Sequence, residues 1–170
     1  AMTMGQSIVV MKDGFTQQVA DPLSLYDRPV NRFVAGFIGT PPMNFFSGTI
    51  KAVPGGLAFD GGSGTVLPVP EPMRKALDAY RDKPVEFGIR PEDIGSAAAE
   101  QQASPPRIRA RVEVVEPMGA ESYVHFRAGS TVFVSRVDAH QKFSINQDAS
   151  PAAFIAKAHF FDPVSEKCIA

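Results

Sequence analysis

In Gly88-Ile89-Arg90-Pro91-Glu92-Asp93 a cation and two acids stand around a proline. Pro91 has no N–H to give a strand ladder, so a strand must end there, and the acids beyond it can pair with Arg90 or cap a turn. The residues therefore read as an architectural corner, with a ligand site that uses Arg90 as its anion anchor as the functional alternative. Asp60-Gly61-Gly62-Ser63-Gly64 is the nearest imitation of a phosphate-cradling loop. It lacks the lysine that reaches terminal phosphates and sits between short strands, so it reads as a hairpin turn. No Gly-Lys-Ser/Thr occurs in the chain.

Other chemistries find no constellation. His125, His140 and His159 stand apart, without Cys or acid partners at metal-ligand spacing. Ser63 lacks the Gly-x-Ser-x-Gly context of an elbow nucleophile. Glu92 with Asp93, or Glu113 with Glu116, read as solvated acids rather than an acid–base pair. Cys168 is the single cysteine and has no basic cluster beside it in sequence, which predicts a structural thiol in a reducing compartment. No catalytic, metal or cofactor-binding residue is predicted.

The elements that must carry these residues change character along the chain. Residues 7–19 predict a hairpin turning at Lys12-Asp13-Gly14. Asp21-Pro22 supplies an N-cap and first-turn proline for a short helix through Leu23, Leu25 and Tyr26. Asn31 caps a second helix, with Phe33, Val34, Phe37 and Ile38 on one apolar face. Beyond Pro41-Pro42 short strands and glycines take over, predicting a domain boundary between residues 1–40 and 41–170.

In that second part strands are predicted over residues 44–53, 57–59, 65–69, 85–90, 107–116, 122–127, 131–137, 144–145 and 156–161. A helix is predicted over 72–81, with Met73, Ala76, Leu77 and Tyr80 on one face. From Arg107 to Val114 arginines alternate with Ile108, Ala110, Val112 and Val114, the pattern of a half-buried antiparallel strand. Short strands at such spacing imply a barrel or sandwich. The small, polar, proline-ended run 97–106 reads as a mobile loop.

Composition is that of an ordinary globular protein: 170 residues, 44% hydrophobic, 21% charged, net charge −1. That charge offers no general attraction to polyanions. The longest apolar stretch, Phe33 to Ile38, is far short of the roughly 20 residues that span a bilayer. No leader pattern opens the sequence, so export is not expected.

Three stretches together resemble a known family. Residues 22–29 with Phe33-Val34-Ala35-Gly36-Phe37-Ile38-Gly39 and Pro42-Met43-Asn44-Phe45 are similar to the segment that closes the nucleotide-binding domain of maltose and glycerol-3-phosphate importer ATPases. Phe87 to Ile94 resembles the hallmark of their C-terminal TOBE domain with OB-like barrels. Glu116-Pro117-Met118-Gly119-Ala120-Glu121 and Phe160-Phe161-Asp162 resemble later parts of the same domain. The opening Ala1-Met2-Thr3-Met4 and Ile8 to Gly14 are similar to the segment a few residues past the switch histidine of such ATPases, with Gln6-Ser7 a departure.

The resemblance implies a mainly β fold: an OB-like/TOBE barrel of short antiparallel strands, preceded by a hairpin and two short helices left from a nucleotide-binding domain. It implies a regulatory and dimerisation fragment of an ABC importer ATP-binding subunit for sugars or polyol phosphates. The fragment would lack ATPase activity and bind no cofactor, while the full-length parent would use ATP and Mg2+. Implied partners are a second copy through the C-terminal domain, the nucleotide-binding domain and, through it, transmembrane permease subunits, and a regulatory protein. The implied location is cytoplasmic, peripheral to the inner membrane, and Gly88 to Asp93 is the implied regulatory motif.

Two alternatives stand beside it. One is an oxyanion sensor of the molybdate type, using loops Gly61 to Thr65 and Gly119 to Ser122. The other is an OB-fold single-strand binder using Arg107, Arg109, Arg111, Tyr123 and Arg127. Glu113, Glu116 and Glu121 interrupt that basic surface, so nucleic acid is not an expected partner.

Overall fold

The computed structural model describes residues 6–170; the tetrapeptide at positions 1–4 lies outside them. Strands β1 (Ile8–Lys12) and β2 (Phe15–Ala20) form an antiparallel hairpin. Its turn needs positive φ at both central positions, met by Asp13 (φ 51°) and Gly14 (φ 81°). Helix α1 (Pro22–Asp27) starts where the Asp21 side chain accepts from the Ser24 N–H, and α2 (Arg32–Phe37) where Asn31 accepts from Val34. Leu25, Val34 and Ile38 bury themselves against Val10 of the hairpin.

The predicted apolar face of α2 divides. Val34 is fully buried, whereas Phe37 is 64% exposed and stacks its ring on Phe33. On so short a helix the hairpin reaches only the Val34–Ile38 side.

The rest of the chain is mainly β. Strands β3 (Asn44–Val53), β4 (Gly56–Asp60) and β5 (Val66–Pro68) precede helix α3 (Glu71–Leu77), which a 3-10 turn extends to Tyr80. Leu77 is the fully buried residue of that helix, with Met73 and Tyr80 packed beside the core and Ala76 facing out. Next come β6 (Pro84–Ile89), a 3-10 turn at Pro91–Asp93 and α4 (Ala97–Glu100). Strands β7 (Ala110–Pro117), β8 (Glu121–Ala128), β9 (Thr131–Asp138), β10 (Asp148–Ala149) and β11 (His159–Phe161) complete the fold.

They make two curled antiparallel sheets, ordered β11-β6-β3-β4-β5 and β10-β7-β8-β9. One core lies between them, where Phe46 meets Phe133 at 5.2 Å between ring centroids and Phe87 from the other side. Gly48 permits the curl, because a Cβ there would run into the Phe59 ring. The sheets are also tied by Asn44, whose side-chain amide donates to the Val134 carbonyl and accepts from the Val134 N–H, both at 2.8 Å.

Further expectations need correction, among them the strand over 156–161, of which only β11 forms because residues 155–157 make a 3-10 turn. Val114 is 44% exposed, because a bulge at Glu113 inserts one residue into β7 and reverses the inside–outside phase after Val112. Residues 97–106 are not a free loop: Ser96 caps α4, Ala99 is fully buried, and Glu100 holds Arg107 and the Ala152 N–H. No strand forms at 144–145; that segment turns, with Gln147 accepting from the Ser144 N–H, and pairing is delayed to β10.

Candidate functional site

The corner from Gly88 to Asp93 forms where β6 runs out. Gly88 pairs with Phe45 and His159 on either side, and a Cβ on it would stand 2.7 Å from Met43 Sδ and 2.8 Å from Phe161. Only glycine fits that approach. Ile89 is fully buried as the last ladder residue, and Pro91 opens the 3-10 turn.

Arg90 is 2% exposed. Its guanidinium reaches the α1–α2 unit, donating to the carbonyls of Tyr26 (2.7 Å), Ile38 (2.5 Å) and Ala35 (3.4 Å) while lying over the Tyr26 ring. A buried cation that satisfies three carbonyls at the ends of two short helices does the work of a C-cap for both. Burial lowers its pKa, with nearby acidic groups opposing. With Nη1 and Nη2 so engaged, Arg90 acts as a clamp between the two short helices and the corner.

The acids have separate partners. Glu92 accepts a hydrogen bond from the Tyr26 hydroxyl. Burial first, then that hydrogen bond, pushes the Tyr26 phenol well up and keeps it protonated. Asp93 is 6% exposed, and Lys157 Nζ lies 3.7 Å from its carboxylate. Desolvation lifts the Asp93 pKa to about 6, with Lys157 opposing.

Further bonds close the seam between residues 8–38 and the sheets. Arg32 pairs with Glu86 and lies over the Phe45 ring. The C-terminal segment runs beside Val30 to Arg32, with Cys168 N–H donating to Val30 and Arg32 N–H to Glu166. Burial raises the Cys168 pKa, which suits the structural thiol its surroundings predict.

Beside the clamp lies a cavity of about 600 Å3, walled by Tyr26 to Val30 on one side and by the corner, Met73 and residues 156–159 on the other. His159, at the start of β11, faces it, and burial with the nearby Arg90 charge lowers the imidazole pKa to about 4. Nothing in the sequence pattern singles out Tyr26, Lys157 or His159 for this place. Tyr26 meets Arg90 across 64 positions, and no local pattern announces such a contact.

Of the other candidates, Arg109, Arg111 and Arg127 line a second cavity along β7, β8 and β10, apart from the first. Gly61 to Thr65 joins β4 to β5, Gly119 lies in the β7–β8 turn, and neither lines the cavity. Arg107 is held by Glu100, Arg127 by Glu113, and Arg111 by the Asn146 carbonyl. Among the described residues no His, Cys, Asp and Glu cluster could hold a metal, and no helix is long and apolar enough to cross a membrane.

Comparison with known proteins gives these features a context. The MalK OB fold domain matches residues 39–94 and the TOBE domain residues 87–150, so the corner lies where the two overlap. The chain is 39% identical to the multiple sugar-binding transport ATP-binding protein MsmK of Streptococcus mutans, over 99% of this chain and 47% of that protein. It is 38% identical to the oligosaccharides import ATP-binding protein MsmX of Bacillus subtilis (98% of this chain, 45% of that one). It is 39% identical to the trehalose/maltose import ATP-binding protein MalK of Thermococcus litoralis (99% and 45%). The chain thus spans just under half the length of these relatives. Among solved structures, the cytoplasmic molybdate-binding protein ModG shares the fold, with a TM-score of 0.56 and 16% identity over 71% of this chain and 96% of that one. The chain thus carries an OB-fold domain and a TOBE domain, and the relatives it resembles over part of their length are ATP-binding proteins of sugar and oligosaccharide importers.

Proposed function

We propose that this chain is the regulatory and dimer-forming part of an ABC importer ATP-binding subunit, working through its surfaces and not by turnover. The observation that carries the reading is the Arg90 clamp. One buried guanidinium fastens the ends of both short helices to the corner. In this reading residues 1–40 belong to the nucleotide-binding domain and 41–170 to the regulatory domain, and the clamp lets one report its position to the other.

The whole subunit would hydrolyse ATP with Mg2+ at the cytoplasmic face and drive permease subunits that carry sugars or polyol phosphates. Gly88 to Asp93 then serves as the joint between the two parts. Dimerisation would use the outer face of the β7–β9 sheet, where Val114 and Val132 are 44% and 47% exposed. One such patch gives weak association.

Light scattering coupled to size exclusion across a concentration series tests this. The expected result is a mass rising from monomer towards dimer, with Val114→Glu and Val132→Glu shifting it back, and no nucleotide turnover. A strict monomer at the highest concentration overturns the dimer reading.

A further inference from the structure

The cavity beside Arg90 has walls from both sides of the seam, and its size falls within the range of small-molecule sites. Its ionisable lining sums to zero: Asp27, Glu92 and Asp93 against Arg28, Arg90 and Lys157. The charges deepest in it are also already engaged. Arg90 is held by three carbonyls, Glu92 takes the Tyr26 hydroxyl, and Asp93 faces Lys157. An ion seated against Arg90 or Glu92 would have to break one of these arrangements, a cost that rises with burial.

Hydrogen-bonding capacity nevertheless remains. The Asp93 side chain is 9% exposed, and its 3.7 Å separation from Lys157 is too long for a direct hydrogen bond. Its lone pairs therefore stay available to the cavity. Lys157 keeps donors free, being 63% exposed, and the neutral imidazole of His159 offers one donor and one acceptor. Pro29, Val30, Met73 and Ala158 supply apolar wall between these polar points.

We propose that this cavity binds a small neutral polyhydroxylated molecule. A hydroxyl donates and accepts at once, so it satisfies Asp93 and Lys157 together without adding charge, and its carbon skeleton lies on the apolar wall. Because the ligand touches residues 26–30 and the corner together, it fastens the seam next to the Arg90 clamp. This site does not depend on dimerisation or on the regulatory reading.

Amide chemical-shift titration of the isotope-labelled chain is the test, with glycerol, myo-inositol and glucose as neutral probes. Spermidine, sulfate and glucose 6-phosphate are the charged comparators. The neutral probes are expected to shift Val30, Asp93 and Lys157 to His159 with millimolar affinity, and the charged ones to bind more weakly or not at all. Asp93→Asn, which removes the anionic acceptor, and Ala156→Phe, which narrows the mouth at an exposed residue, should each weaken the neutral probes about tenfold while the fold stays intact. Silence for all three neutral probes, shifts unchanged by both substitutions, or tighter binding of a charged comparator overturns the proposal.

Discussion

Arg90 and Tyr26 are joined twice across the seam: the guanidinium carbon lies 3.7 Å from the ring centroid, and Nη2 donates to the Tyr26 carbonyl at 2.7 Å. A planar fork suits both contacts, since its face stacks while its edge donates. Lysine could offer neither the stacked plane nor the reach to Ile38 and Ala35 at the same time. Arg90→Lys is therefore expected to cost about 3 kcal/mol, chiefly from carbonyls left unpaired. Urea unfolding measures the loss, and hydrogen exchange locates it. Protection should fall over residues 22–38 and persist in β7 to β9, and uniform loss across the chain would count against a local clamp.

Tyr26 holds the seam with its ring and with its hydroxyl, and two substitutions separate them. Tyr26→Phe keeps the surface beneath Arg90 and removes only the donor to Glu92, for a loss of about 1–2 kcal/mol. Tyr26→Leu also removes the stacked face and should cost about 1 kcal/mol more. Equal losses in the two variants would mean that the stacking contributes nothing.

Asn44 is the other polar residue whose removal should be felt far from its place in sequence. Its amide imitates a strand neighbour for Val134, 90 positions away, with two bonds at 2.8 Å. Asn44→Ala leaves both backbone groups unpaired in a place that is 8% exposed around Asn44, and should cost about 2–3 kcal/mol in chemical unfolding. Asn44→Asp keeps the acceptor but turns the donor into a second acceptor facing a carbonyl, and should cost at least as much.

The reach of the sequence ends where these contacts begin. Asp13-Gly14, the Asp21 and Asn31 caps and the Pro91 stop act on their own neighbourhood, so the hairpin, both short helices and the end of β6 could be read directly. Alternation told which side of β7 faces inward only up to Val112, because nothing in the residue types marks Glu113 as the bulge. Residues 97–106 looked mobile because alanines and polar residues carry little apolar surface. What orders them is Glu100 reaching Arg107 and Ala152. At the candidate site the corner was legible and its function as a clamp was not, since that depends on where a separate unit docks.

Asp93 and His159 face one cavity with opposite pH behaviour, and single substitutions should expose it. Asp93 is raised from 3.8 to about 6 by burial, so between those values the folded chain keeps a proton that the unfolded chain has released, and stability falls as pH rises. His159 is lowered from 6.5 to about 4, again chiefly by burial, so the unfolded chain takes up a proton that the folded chain refuses, and stability falls as pH drops. Across pH 4 to 6 the two slopes oppose each other and largely cancel. Asp93→Asn removes the first, so its stability relative to the parent should increase as pH rises through this window, by up to about 3 kcal/mol. His159→Gln removes the second, and its relative stability should increase as pH falls, by a similar amount. Denaturant melts at half-unit pH steps measure both differences. Parallel pH profiles for parent and both variants would show that neither group is desolvated in the folded chain, and that the cavity is open to bulk water.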